Sequence, residues 1–241
     1  MGLTIAAGVA FWDHAPEGAP GAPLLLVHGA GGTHLHWPEA VRGLPGRRVL
    51  PVDLPGHGQA PPPGEQTIAA YAHARLGLLD ALGIPRVVVA GHSMGGAIAL
   101  TLALEAPGRV AGLFLVGTGA RLRVAPALLT ASADPARATE VAEAFAAASF
   151  GPDAGAEERA GFARGLAAQP RGVLHGDFTA CDTFDVMYLL AEVRAPSVVV
   201  VGSEDRLTPP KYAALLRARL PGDRMLVVPG AGHMVACEAP A

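Results

Sequence analysis

Lysine is almost missing from this chain. Lys211 is the only one, and charged residues of every kind fill 16% of the 241 positions. The net charge is −3 and no basic stripe occurs, so the electrostatic footprint of a nucleic-acid binder is lacking. Cysteine is nearly as scarce. Cys181 and Cys237 do not make a disulfide framework or a metal-ligand cluster, and unpaired thiols in those places suit a reducing cytoplasm. Long hydrophobic runs are also absent: nothing nears the roughly 18 apolar residues that a membrane helix needs. The opening MGLTIAAGVAFWDH has no basic start and is interrupted by Gly8 and Asp13, which argues against a secretory leader. What the chain does have is a hydrophobic fraction of 51%, enough for a sizeable core and too much for disorder.

Short apolar runs alternate with longer helical patterns. Strands are expected at 23–28 (PLLLVH), 47–53 (RRVLPVD), 86–91 (RVVVAG), 109–117 (RVAGLFLVG), 196–202 (PSVVVVG) and 224–230 (RMLVVPG). Several are apolar without alternation, as parallel strands covered on both faces should be. In TIAAYAHARLGLLDALG the residues Ile68, Tyr71, Ala72, Leu76, Leu79 and Leu82 share a helix face, with Thr67 as cap and Gly83 and Pro85 as terminators. The βαβα order reads as a doubly wound α/β sheet, and LTIAAGVAFWDH reads as an antiparallel edge hairpin. From about 119 to 190 the rhythm breaks into Ala-rich helix without a convincing strand. A helical stretch inserted between two sheet strands is expected to sit at the strand ends, where ligands enter such sheets, either as packed decoration or as a cap over a site.

One junction raises a chemical question. In GHSMGG, residues 91–96, a serine sits among glycines where a buried strand passes straight into a helix. Gly-x-Ser-x-Gly in a strand–turn–helix setting presents Ser93 either as a helix cap or as a nucleophile on a sharp turn. A serine hydroxyl needs a base, and His233, in the loop after the last strand (VVPGAGHMVACEAP), falls at the same edge of the sheet. The base in turn needs a carboxylate. Asp205 in VVVVGSEDRLTPP follows the preceding strand, with Glu204 beside it as the rival. An oxyanion hole requires two donors: the N–H of Met94 at the start of the helix, and the N–H of Ala30 in the loop after LLLVHGAGG.

LLLVHGAGG, PVDLPGHGQA, VVAGHSMGGAIAL, VGSEDRLTPP and PGAGHMVACEAP together resemble the α/β-hydrolase superfamily, and more narrowly its small cap-bearing esterase, lactonase and C–C hydrolase group. These segments span about residues 23 to 240. The resemblance implies the α/β-hydrolase fold, a mostly parallel doubly wound sheet with an inserted helical cap. It places the core at 1–118 and 191–241 and the cap at 119–190. It also implies a Ser-His-Asp mechanism by Ser93, His233 and Asp205, with no metal or organic cofactor. Members usually carry one more helix after the EAP motif; here the chain stops at Ala241, so that helix is expected to be absent or truncated.

The elbow narrows the chemistry. Haloalkane dehalogenases and epoxide hydrolases of this fold carry aspartate at the position of Ser93, whereas serine suits attack on an acyl carbonyl. The expected reaction is hydrolysis of a small-molecule carboxylic ester with small to medium, mainly apolar groups. An enol-lactonase or C–C hydrolase of ring-cleavage products is the alternative, and would want a cation such as Arg121 or Arg123 for a substrate carboxylate. A non-catalytic ligand-binding module is the third reading. Candidate substrate-binding residues are His34, His36, Trp37, Phe145, Phe178 and Met187. Phe150, Tyr188 and Cys181 belong to the same helical stretch. His28, Asp53, His57 and His92 read as structural.

Overall fold

The computed structural model describes residues 3–16 and 18–240. Eight strands form one sheet: β1 (Leu3–Ala6), β2 (Val9–Trp12), β3 (Leu24–Val27), β4 (Val49–Asp53), β5 (Val87–His92), β6 (Val110–Val116), β7 (Ser197–Gly202) and β8 (Arg224–Val228). Across the sheet the order is β1-β2-β4-β3-β5-β6-β7-β8. The β1–β2 hairpin is antiparallel and joins β4 antiparallel, while the other six strands are parallel. This is an α/β-hydrolase fold.

The winding determines where a site can form. After β3 the chain moves to β4 on one side, then crosses back to β5 on the other. Strands β3 and β5 are therefore paired neighbours, with Val27 opposite Gly91, yet their outgoing loops diverge. Such a switch point leaves a crevice beyond the carboxyl ends of the strands.

The helices are α1 (Glu39–Arg42), α2 (Ile68–Ala81), α3 (Met94–Glu105), α4 (Pro126–Ser132), α5 (Ala138–Ser149), α6 (Ala156–Ala167), α7 (Val173–Thr183), α8 (Pro210–Arg219) and α9 (Val235–Glu238). Helices α4 to α7 all fall between β6 and β7. The main core lies on one face of the sheet, where Leu25, Val52, Val89 and Leu113 meet Leu79, Ile98 and Leu216 of the covering helices. Each such fully buried aliphatic side chain contributes roughly 1.5–3 kcal/mol by transfer out of water. The second face holds a smaller cluster that includes Leu26, Trp37, Val49, Ala90, Val116 and Val235. Beyond that cluster the face stays open, with Phe114 43% and Leu226 56% exposed.

Helix α2 starts as expected, with the Thr67 hydroxyl accepting from the Ala70 N–H at 3.1 Å. Its buried face differs from the expected one. Arg75 and Leu78 are buried along with Ile68, Tyr71, Ala72 and Leu79, while Leu76 and Leu82 are only half-buried. Periodicity assigns a charged residue to the outside, but here the guanidinium turns inward. Among the described residues its three nitrogens have no hydrogen-bond partner. Burial pushes the Arg75 pKa down to about 9.

Candidate active site

Ser93 sits between β5 and α3 with φ +54° and ψ −117°, a backbone conformation that side-chain-bearing residues rarely adopt. Three contacts hold the turn. The Ser93 N–H donates to the Val116 carbonyl at 2.9 Å, the Gly96 N–H to the Ser93 carbonyl at 2.8 Å, and the Thr118 hydroxyl to that same carbonyl at 2.8 Å. Glycine is required for strand and helix to come this close: a Cβ on Gly91 would overlap the Gly95 carbonyl, and one on Gly95 would overlap the Val27 carbonyl. The loop after β3 is pressed against the same turn, since a Cβ on Gly29 would lie 3.0 Å from the Ser93 Cβ.

Asp205, after β7, and His233, after β8, are brought together by their loops. The His233 Nδ1 lies 2.9 Å from the Asp205 Oδ2, and both side chains are essentially buried. The Leu207 and Thr208 N–H groups donate to Asp205 Oδ1 at 2.9 and 2.8 Å, and the Thr208 hydroxyl donates to Oδ2 at 2.8 Å. Burial works against the Asp205 charge, but His233 and these donors outweigh it and hold the carboxyl below its ordinary range. A carboxylate that stays ionised fixes a proton on His233 Nδ1 and leaves Nε2 free for proton transfer. Glu204, the rival acid, bonds the Ser203 hydroxyl instead.

Ser93 and His233 line one cavity of about 390 Å³. They form no direct hydrogen bond to each other. Ala30 and Thr208 lie beside them. Phe145, Phe178 and Cys181 supply the wall from α5 and α7, and Arg123, Arg137 and Glu140 stand at the half-open rim. Among the described residues neither the Ala30 nor the Met94 N–H has an acceptor, so both are available to an anion.

The other candidates fall outside this wall. His34 stacks on Trp12 at 3.5 Å and bonds Asp53 at 2.9 Å, which closes the turn after β4. Trp37 is buried in the second-face cluster, because the 34–36 turn directs it under the sheet. Met187, expected in the pocket, is 38% exposed on the turn before residue 190. His36 lines a small recess next to Ser93, against His92 and Phe162. His92 donates through Nε2 to the His233 carbonyl at 2.9 Å. Burial, and then the neighbouring His233, push His92 down to about 3. Arg121 pairs with Asp185 at 3.4 Å.

Several contributors received no role from the sequence, although Glu238 belongs to the EAP motif. The His233 and Met234 N–H groups donate to the Ser149 carbonyl at the end of α5, at 2.8 and 3.0 Å. Glu238 accepts from the Gly232 N–H at 3.0 Å and the Gly151 N–H at 2.8 Å, and so ties the His233 loop to the inserted helices. Asp177 of α7, fully buried, meets Gly31, His57 and Tyr71. Among the described residues no group of three or more His, Cys, Asp or Glu is arranged to hold a metal ion, and no helix is long and apolar enough to cross a membrane.

Residues 24–241 match the family model described as the alpha/beta hydrolase family. The chain is 32% identical to the dihydrolipoyllysine-residue acetyltransferase component of an acetoin cleaving system from Pseudomonas putida, over 92% of this chain and 61% of that protein. It therefore spans less than two thirds of that relative's length. It is 30% identical to a pimeloyl-[acyl-carrier protein] methyl ester esterase from Neisseria meningitidis, over 87% of this chain and 85% of that one. Among solved structures a thermophilic esterase is similar with a TM-score of 0.79 and 31% identity, covering 95% of this chain and 87% of the other.

Proposed function

The chain belongs to the alpha/beta hydrolase family, and from that premise we propose that it is a serine-dependent carboxylic-ester hydrolase. One observation carries the reading: Ser93 on its strained turn and His233, backed by the buried Asp205, line the same mainly apolar cavity. His233 Nε2 takes the Ser93 proton, and Ser93 Oγ attacks the ester carbonyl. The Ala30 and Met94 N–H groups bind the oxyanion, with the α3 dipole behind Met94. The tetrahedral intermediate expels the alcohol, which receives the proton from His233. Water, deprotonated by His233, then releases the acid from the acyl-serine. Asp205 keeps the imidazole in the required tautomer throughout.

In this reading residues 119–190 are a cap over the core formed by 1–118 and 191–241. The apolar walls contributed by Phe145 and Phe178 suit small to medium acyl or alkyl groups. The free thiols of Cys181 and Cys237 are in keeping with a cytoplasmic enzyme. A second reading, hydrolysis of an enol-lactone or of the C–C bond in a ring-fission acid, draws on Arg123 at the cavity rim, where a substrate carboxylate would meet it.

Release of nitrophenol from p-nitrophenyl esters of graded chain length tests the proposal. Ser93→Ala should lower kcat roughly 10⁴–10⁶-fold while the protein stays folded. Near-normal hydrolysis by that variant would remove Ser93 as nucleophile. Turnover confined to a lactone or a vinylogous diketone acid would select the second reading.

A further inference from the structure

The loop that supplies the Ala30 N–H is held from both sides. On its near side the Gly29 carbonyl accepts from His28 Nδ1–H at 2.8 Å and from the Gly32 N–H at 3.0 Å. His28 Nε2 accepts from the Leu54 N–H at 3.0 Å, which fixes the tautomer. The peptide between Gly29 and Ala30 is thus pinned through its oxygen.

On its far side the hold comes from the inserted helices. Asp177 Oδ2 accepts the Gly31 N–H at 2.7 Å, and Gln169 Nε2 donates to the Gly31 carbonyl at 3.1 Å. Gly31 has φ +61°, and a Cβ there would overlap the Leu166 side chain. The peptides before and after Ala30 are therefore both fixed, and the Ala30 N–H keeps one direction.

Asp177 is itself held through both carboxyl oxygens. Its Oδ1 accepts the Tyr71 hydroxyl at 2.6 Å, and its Oδ2 lies 2.8 Å from His57 Nε2. The other His57 nitrogen faces the Pro55 carbonyl at 3.0 Å, an acceptor only, so Nδ1 carries a proton. The second imidazole nitrogen then shares a further proton with Asp177. The pair retains that proton inside the protein. Asp53 also favours the proton on His57, whereas the burial of His57 opposes it.

We propose that Asp177 is a positioning residue through which the inserted segment sets the oxyanion hole, by holding Gly31 so that the Ala30 N–H is aimed at the reacting carbonyl. Its helix neighbours Phe178 and Cys181 line the cavity, so α7 touches substrate on one side and the oxyanion loop on the other. The proposal rests on the ester-hydrolase reading above, in which Ala30 is an oxyanion donor.

The test compares wild type, Asp177→Asn and Gln169→Ala on a p-nitrophenyl ester and on the matching thionoester, with melting temperature as the folding control. Sulfur is larger and a poorer acceptor than oxygen, so a correctly aimed hole favours the ester. Asp177→Asn should lower kcat between about 10-fold and the roughly 10²–10³-fold cost of losing a whole oxyanion donor, with KM nearly unchanged. The ester-to-thionoester preference should fall in step. Gln169→Ala, which cuts only the carbonyl tether of a half-buried side chain, should move both readouts the same way and less, and it carries the test if Asp177→Asn does not fold. An unchanged ester-to-thionoester preference in the folded variants overturns the proposal, because a purely structural role would slow both substrates alike. If Ser93→Ala keeps wild-type activity, the ester-hydrolase reading fails first and takes this proposal with it.

Discussion

Of Ser93, Asp205 and His233, it is Asp205 whose side chain is anchored to the backbone, while His233 is held by side chains alone. The Asp205 carboxylate accepts two backbone N–H bonds on Oδ1, while Oδ2 faces His233 and the Thr208 hydroxyl. Thr208 Oγ1 also lies 3.2 Å from His233 Nδ1, so it braces both members of the pair. Thr208→Val keeps the shape and the backbone donor and deletes this hydroxyl. One such hydrogen bond is worth roughly 0.5–1.5 kcal/mol, and a barrier change of about 1.4 kcal/mol is tenfold in rate. We therefore expect kcat to fall by up to about tenfold with the melting temperature little changed. Steady-state kinetics on a p-nitrophenyl ester would check this, and an unaltered kcat would deny Thr208 any part in orienting the pair. At this scale the sequence was readable wherever a residue closely followed an apolar run, as Ser93, Asp205 and His233 do. It was silent on Asp177 and gave Glu238 only as a letter of the EAP motif; their partners Gly31 and Gly151 lie 146 and 87 positions away. No local pattern encodes a contact of that span.

Among the elements, α2 shows where a periodic reading stops working. Its hydrophobic stripe was legible, but the stripe is wider than the helix face that the apolar residues mark. Arg75 falls inside it with no partner among the described residues. An isolated buried cation is destabilising, because no partner offsets the cost of taking its charge out of water. Arg75→Met should then raise the melting temperature, at about 2–4 °C per kcal/mol for a chain of this size. A calorimetric midpoint that falls would mean that Arg75 has compensation within the native state. The β5–α3 junction makes the opposite case. There the sequence was fully explicit, because a close approach of strand and helix leaves glycine as the only fit at 91 and 95. The inserted helices stand between these cases. Their existence was plain from composition, whereas their grip on the two loops beneath, through the Ser149 carbonyl and the Gln169 and Asp177 side chains, depends on groups with no motif.

For the molecule as a whole, the winding of the sheet decides more than any single motif. Placing β3 beside β5 puts the HGAGG loop next to the Ser93 turn, and placing β7 and β8 after β6 brings Asp205 and His233 to the same end. That end is crowded with imidazoles. His28, His36 and His92 are held neutral chiefly by burial: His28 well below its ordinary value, His36 at about 4 and His92 at about 3. In the unfolded chain each takes up a proton as pH falls below about 6.5, while the native state does not follow until far lower pH. Their contribution to stability is therefore intact above about pH 6.5 and is lost as pH falls toward the folded values. Each neutral histidine accounts for at most roughly 1.4 kcal/mol per pH unit in that window. His57 has the opposite sign. Burial opposes its charge, but Asp177 raises its pKa, so its contribution is complete below about pH 6.5 and is lost as pH rises through the raised value. The protein should accordingly be most stable near neutrality, and its melting temperature should drop steeply between about pH 6.5 and 5. This window lies above the range in which Asp205, held low by His233, takes up a proton. His92→Gln preserves a donor for the His233 carbonyl and removes one of the three titrating groups, so it should flatten the slope by about a third. A melting temperature that stays level from pH 7 to 5.5 would show that these imidazoles are not buried neutral, and with them would go the dry, closely packed floor on which the Ser93 and His233 loops are set.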